Sequence, residues 1–191
     1  MVNVYRPGAG QMPLYLAGRD AVTEEINQVF DALKDGVPVQ SVIYYGLRGV
    51  GKTVLINSLE RNAEAKGIFC KHIEMEFKND FLMQITTCAQ MYLRQFSKQE
   101  SVKHLITKAI EALKSLVISY DPTSTTFSLS MEEKELYRTS DISQNLSELF
   151  SAIGQIAQNA GMPICFFIDE MQYLDKKELG AFITALHRSN Q

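Results

Sequence analysis

Cysteine is scarce in this chain of 191 residues, which holds only Cys70, Cys88 and Cys165. They are widely spaced and odd in number, with no CxxC pair, and His72, His104 and His187 stand alone rather than at ligand spacing. A disulfide scaffold is thereby excluded, and buried, reduced thiols are expected. Long apolar runs are equally absent. The longest, Ile164 to Ile168, falls far short of the ~20 residues that span a bilayer. The opening MVNVYRPGAGQMP lacks the continuous apolar stretch of a signal peptide. The chain therefore reads as soluble and cytoplasmic, with no membrane partner. An excess of one charge is missing too: 19 basic and 22 acidic residues leave a formal −3, which gives no support to a general nucleic-acid coat. What is present is ordinary globular material. Hydrophobic residues make up 46%, enough to bury a core without staples, so disorder is also excluded.

Residues 1–13 carry Pro7, Gly8, Gly10 and Pro13 and read as an irregular lead-in. A first helix is expected from Asp20, as a cap, through Val22, Ile26, Val29, Phe30 and Leu33, closed by Gly36. Ser41 to Tyr45 is short, apolar and partly β-branched, which predicts a strand. A glycine-rich turn follows, then a helix from Gly51 to Lys66 ended by Gly67, and a second strand over Ile68 to Met75. Helical spacing recurs over Phe81 to Phe96 and over Leu105 to Leu116. Alternating Thr125, Phe127 and Leu129 suggest a loop or short hairpin. A long helix from about Asp141 to Ala160 stops at Gly161 and Pro163. Ile164 to Ile168 reads as a buried strand, and Leu179, Phe182, Ile183 and Leu186 mark a last helix. Strands alternating with helices predict an α/β fold with a parallel sheet covered on both faces.

The segment GLRGVGKT, Gly46 to Thr53, fits G-x-x-x-x-G-K-[ST] at every fixed position, after a predicted strand and at the start of a predicted helix. A triphosphate tail has to be wrapped by backbone N–H groups. The nucleotide-binding stretch is therefore read as Gly46, Leu47, Arg48, Gly49, Val50, Gly51, Lys52, Thr53 and Val54, where side chains on Gly46 or Gly51 would obstruct close approach. The following helix aims its N-terminal partial charge at the phosphates. Lys52 supplies a point charge to the β- and γ-phosphates, and the Thr53 hydroxyl is a ligand for Mg²⁺. Its partner is ICFFIDE, Ile164 to Glu170, five apolar residues followed by two carboxylates. Asp169, at the strand end, suits the Mg²⁺ beside Thr53. Glu170 suits the base that polarises an attacking water, with Lys52 as the second catalytic group.

Three blocks of this P-loop pattern resemble the AAA+ and STAND-type P-loop ATPases that begin with a GR box: LAGRD (Leu16 to Asp20), YYGLRGVGKTVLINSL (Tyr44 to Leu59) and CFFIDEMQYLD (Cys165 to Asp175). The resemblance implies a three-layer α/β/α sandwich with a parallel sheet, ATP or ADP as the nucleotide, and Mg²⁺. It makes Leu16 and Ala17 base contacts and Arg19 a structural or nucleotide-sensing residue. DEMQ is similar to the DExQ of the group, which makes Gln172 a sensor or water-orienting residue. Arg188 is read as a solvated helix-end arginine rather than a finger acting on a neighbour. Residues 76–160 match nothing in the family pattern and read as a helical insertion-like region.

Family members continue beyond the Asp-Glu strand with a sensor strand and a helical lid, whereas this chain stops at Gln191. The expectation is an incomplete ATPase domain over residues 1–191, the N-terminal portion of a longer protein. Partners would then be the adenine nucleotide and, through the missing C-terminal domains, a second copy or another protein. The function implied is a module that binds Mg-ATP and hydrolyses it to drive conformational change in a larger protein. The alternatives are a STAND-type switch with slow hydrolysis, or a DNA-associated relative similar to origin-recognition initiators, which the acidic balance does not support.

Overall fold

The computed structural model describes residues 18–37, 39–76, 81–120 and 141–189. They divide into two compact units, one within Met1–Ile73 together with Met162–Asp169, the other within Glu74–Gly161 together with Glu170–Gln191.

The first unit is built from two amphipathic helices and the strands they cover. In helix α1 (Asp20–Lys34) the apolar positions recur every three or four residues, so Ile26 and Phe30 fall on one buried face. Helix α2 (Lys52–Ala65) adds Leu55, Leu59 and Ala63 to the same core. Strand β1 (Phe69–Glu74) contributes Cys70, and strand β2 (Ile164–Asp169) contributes Phe167. The Phe167 ring meets Phe30 edge-on, with centroids 6.3 Å apart. β1 and β2 lie side by side as a parallel two-stranded sheet. Gly36 and Gly67, both at positive φ, close α1 and α2. Lys66 at the end of α2 pairs with Asp31 of α1, and His72 Nδ1 lies 2.9 Å from Glu60 Oε2, joining β1 to α2.

Two expectations are corrected here. Ser41 to Tyr45 is not a strand. Its β-forming side chains satisfy propensity, but a strand exists only as one rung-bearing half of a ladder, and among the described residues the sheet consists of β1 and β2 alone. Tyr44 packs against the core, whereas Val42, Ile43 and Tyr45 are exposed. Nor is Asp20 the cap of α1. It is the first helical residue, and Arg19 holds the cap position without a side-chain cap bond.

The second unit is helical. Helix α3 (Phe81–Phe96) and helix α4 (Lys103–Tyr120) are joined through a 3-10 turn at Glu100–Val102, and helices α5 (Ile142–Ala160) and α6 (Lys176–Ser189) pack with them. Asp141 caps α5, its carboxylate accepting from the Ser143 amide at 3.0 Å and the Ser143 hydroxyl at 2.7 Å. Gly161, left-handed, ends it. Phe182 of α6 stands edge-on to Phe81 (5.1 Å) and to Phe150 (6.0 Å). Between α4 and α5 the buried Ser115 hydroxyl donates to Asn145 Oδ1 at 2.9 Å, so a polar pair is satisfied inside the helical core. Thr125, Phe127 and Leu129 lie outside the described residues. No described helix is long and apolar enough to cross a membrane.

Candidate functional site

The turn between Tyr44 and α2 is shaped by its glycines. Gly49 and Gly51 have φ of 82° and 83°, a left-handed backbone that a Cβ disfavours by roughly 1–2 kcal/mol. Gly46 differs: a Cβ there would sit 3.6 Å from Val50 Cγ2, an ordinary contact. Among the described residues nothing therefore makes a steric demand for glycine at 46.

Helix α2 starts from Gly51 with no side-chain cap and no acidic residue in its first turn. The helix itself offers no acceptor to its leading amides, so neither a cap nor an acid of its own first turn offsets its positive end. Over it lies the Lys52 ammonium, whose Nζ donates to Gly46 O and Leu47 O, each at 3.0 Å. Two of its three protons are used. Thr53 and Val54 follow in the first turn. Arg48 and Leu47 are exposed. Arg19 reaches the same loop, its Nη2 donating to Val50 O at 2.7 Å. Sequence reasoning placed Arg19 near the nucleotide but did not find this contact, which no local spacing signals. Leu16 and Ala17 lie outside the described residues.

Asp169 ends β2 as a buried residue, 5% exposed. Asp169 and Thr53, the two residues the sequence assigns to Mg²⁺, both offer oxygen donors, the chemistry that Mg²⁺ prefers over softer metals. No cluster of three or more His, Cys, Asp or Glu among the described residues could hold a metal by itself.

Glu170 is the one non-glycine at positive φ among the described residues (57°, ψ 34°), in a conformation that strained functional positions favour. It starts a 3-10 turn, Met171–Tyr173, closed by Tyr173 N to Glu170 O at 3.0 Å. The turn brings the Gln172 side chain back, and its Nε2 donates to Glu170 Oε2. Glu170 also lines an open cleft of about 250 Å³ with Glu74, Met75, Glu76 and Tyr173. Glu74 and Glu76 were not singled out from the sequence. The signal was there, because in a parallel sheet adjacent strands end on the same side, where sites form. Arg188 falls in the last turn of α6, and its charge acts on Asp141.

Two thiols lie in the strands behind the loop. Burial pushes Cys70 up to about 12, with Cys165, Glu64 and Glu60 adding to the shift. Burial, and then Glu60, push Cys165 up to about 12. Neither is a nucleophile at neutral pH.

The model of the AAA ATPase domain family matches residues 15–191 of this chain. No curated protein and no solved structure gives a significant match.

Proposed function

The chain belongs to the AAA ATPase domain family, which implies nucleotide binding and hydrolysis, and on that premise we propose that it binds Mg-ATP at Gly46–Thr53 and hydrolyses it to drive a conformational change in a larger assembly. The observation that carries this reading is the Lys52 ammonium held over Gly46 O and Leu47 O, above a helix end with no cap and no acid of its own. Such a helix end favours an anion, and the lysine adds a mobile positive charge to the same place. A phosphate oxygen would replace these neutral carbonyl acceptors with an ionised one, so that both partners of the bond carry charge.

Thr53 and Asp169 would hold Mg²⁺, which when bound neutralises charge on the β- and γ-phosphate oxygens. Glu170, next in the chain, takes the proton of the attacking water as general base. Its backbone strain is the kind of local cost that functional positions retain. The Arg19–Val50 bond supports the GR-box reading of the N-terminal block, because it ties that block to the phosphate loop.

The test is the Lys52→Ala variant titrated with a fluorescent ATP analogue, alongside its thermal midpoint. Tight binding should be lost while the midpoint holds, since among the described residues the Lys52 amine bonds to exposed loop carbonyls. Parent-like affinity in a folded variant would remove Lys52 from the site and with it this reading.

A further inference from the structure

We propose that Gln172 is a positioning residue for Glu170, holding its carboxylate in one orientation, rather than a sensor of the nucleotide. The inference rests on Glu170 being the general base. Three observations meet on it. The Gln172 amide donates directly to Glu170 Oε2. The contact is built by the backbone: the left-handed Glu170 turns the chain into Met171–Tyr173, and the Tyr173 amide locks that turn onto Glu170 O. Residue i+2 is thereby folded over residue i, which an extended exit from β2 would not do. Thirdly, Glu74 and Glu76 line the same cleft as Glu170, so like charges push its carboxylate out of that cleft.

An amide is suited to oppose that push. It donates a hydrogen bond to one oxygen without adding charge, and it leaves the other oxygen able to accept a proton from water. A lysine or arginine at 172 would hold the carboxylate more strongly but would also make it a poorer base. The side chain is itself exposed, so the contact has no packing role to confuse with it.

The experiment measures kcat, KM and nucleotide Kd for the protein and for Gln172→Ala, Gln172→Glu, Glu170→Gln and the Glu170→Gln/Gln172→Ala pair. Glu170→Gln should lower kcat by about 10²–10⁴-fold, the usual range for a lost acid–base group. Gln172→Ala should lower kcat by about tenfold with KM and Kd within about twofold, the signature of an interaction made only in the transition state. Gln172→Glu, which sets a like charge against Glu170, should fall further. In the pair, removing Gln172 should cost nothing beyond Glu170→Gln, because an orienting group has nothing left to orient. Unchanged kcat in Gln172→Ala, a weakened Kd at constant kcat, or full multiplicative losses in the pair would each overturn the positioning role alone. Parent-like turnover by Glu170→Gln would remove the base itself, and the inference with it.

Discussion

Arg19 Nη2 donates to Val50 O at 2.7 Å, across 31 residues of chain. Arg19 sits at the cap position of α1, where a side-chain oxygen would ordinarily serve the first amides, yet it makes no cap bond. Its guanidinium serves the glycine-rich loop instead. Val50 O is the carbonyl immediately ahead of left-handed Gly51, so the bond fixes the peptide plane on which the approach to α2 turns.

Arg19→Ala should therefore weaken ATP-analogue binding by about fivefold to tenfold, the effect of losing one charge-assisted bond to an exposed loop. Stability should hardly change, because a positive charge at a helix N-terminus is unfavourable to the helix in the first place. Arg19→Lys should recover part of the affinity. Equal affinity in Arg19→Ala would make the contact incidental.

Helices were legible in the sequence because their signals are local. Val22, Ile26 and Phe30 repeat at the helical period, and Asp141 and Gly161 bracket α5 with a cap and a stop. The glycine-rich turn was legible because its glycines answer a backbone need at Gly49 and Gly51. Ser41 to Tyr45 was misread for the opposite reason: strand formation depends on a neighbour that propensity does not report. The Arg19–Val50 bond escaped for the same reason, since residues 31 apart meet only through tertiary packing. Gln172 was noticed as part of a pattern, but its contact with Glu170 depends on one left-handed residue that no composition rule marks.

Phe182→Ala should cost about 3–5 kcal/mol, the usual range for emptying a large aromatic site. Phe182 is 5% exposed and meets two rings, Phe81 and Phe150, so the cavity is lined by residues fixed on other helices and cannot collapse easily. Phe182→Leu, which keeps much of the volume, should cost clearly less. Urea titration followed by helical circular dichroism reads the difference. A loss below about 1 kcal/mol for alanine would mean the ring site is loosely packed.

The strand thiols predict an alkaline limit. Cys70 and Cys165 are each raised from 9.0 to about 12 in the folded chain, so between those values the folded state binds more protons than the unfolded one. Stability from this source is complete below about pH 9 and falls as pH rises toward 12. Denaturation midpoints measured from pH 8 upward should decline more steeply for the parent than for Cys70→Ala/Cys165→Ala, each followed relative to its own midpoint at pH 8. Matching pH profiles would show that the thiols titrate normally.

Asp141 predicts the acid side. The Ser143 hydroxyl, then the Ser143 amide, hold its carboxyl below the ordinary 3.8, and Arg188 adds to the effect. A carboxylate with a lowered folded value contributes stability above its unfolded value and loses it as pH falls through the folded one. Asp141→Ala should cost about 1 kcal/mol near neutral pH, as for other helix caps. That cost should shrink as pH drops below 3.8, where the parent's own cap becomes protonated and accepts less strongly. Asp141→Asn tests the electrostatic part separately, because asparagine caps a helix about as well as aspartate but has no charge to lose. It should sit close to the parent in stability and show a flatter acid profile, attracting Arg188 no more at neutral pH than at low pH. Urea midpoints of the three proteins between about pH 7 and pH 3 decide it. A constant gap between Asp141→Ala and the parent across that range would mean that the cap works through hydrogen-bond geometry alone, with the charge contributing nothing.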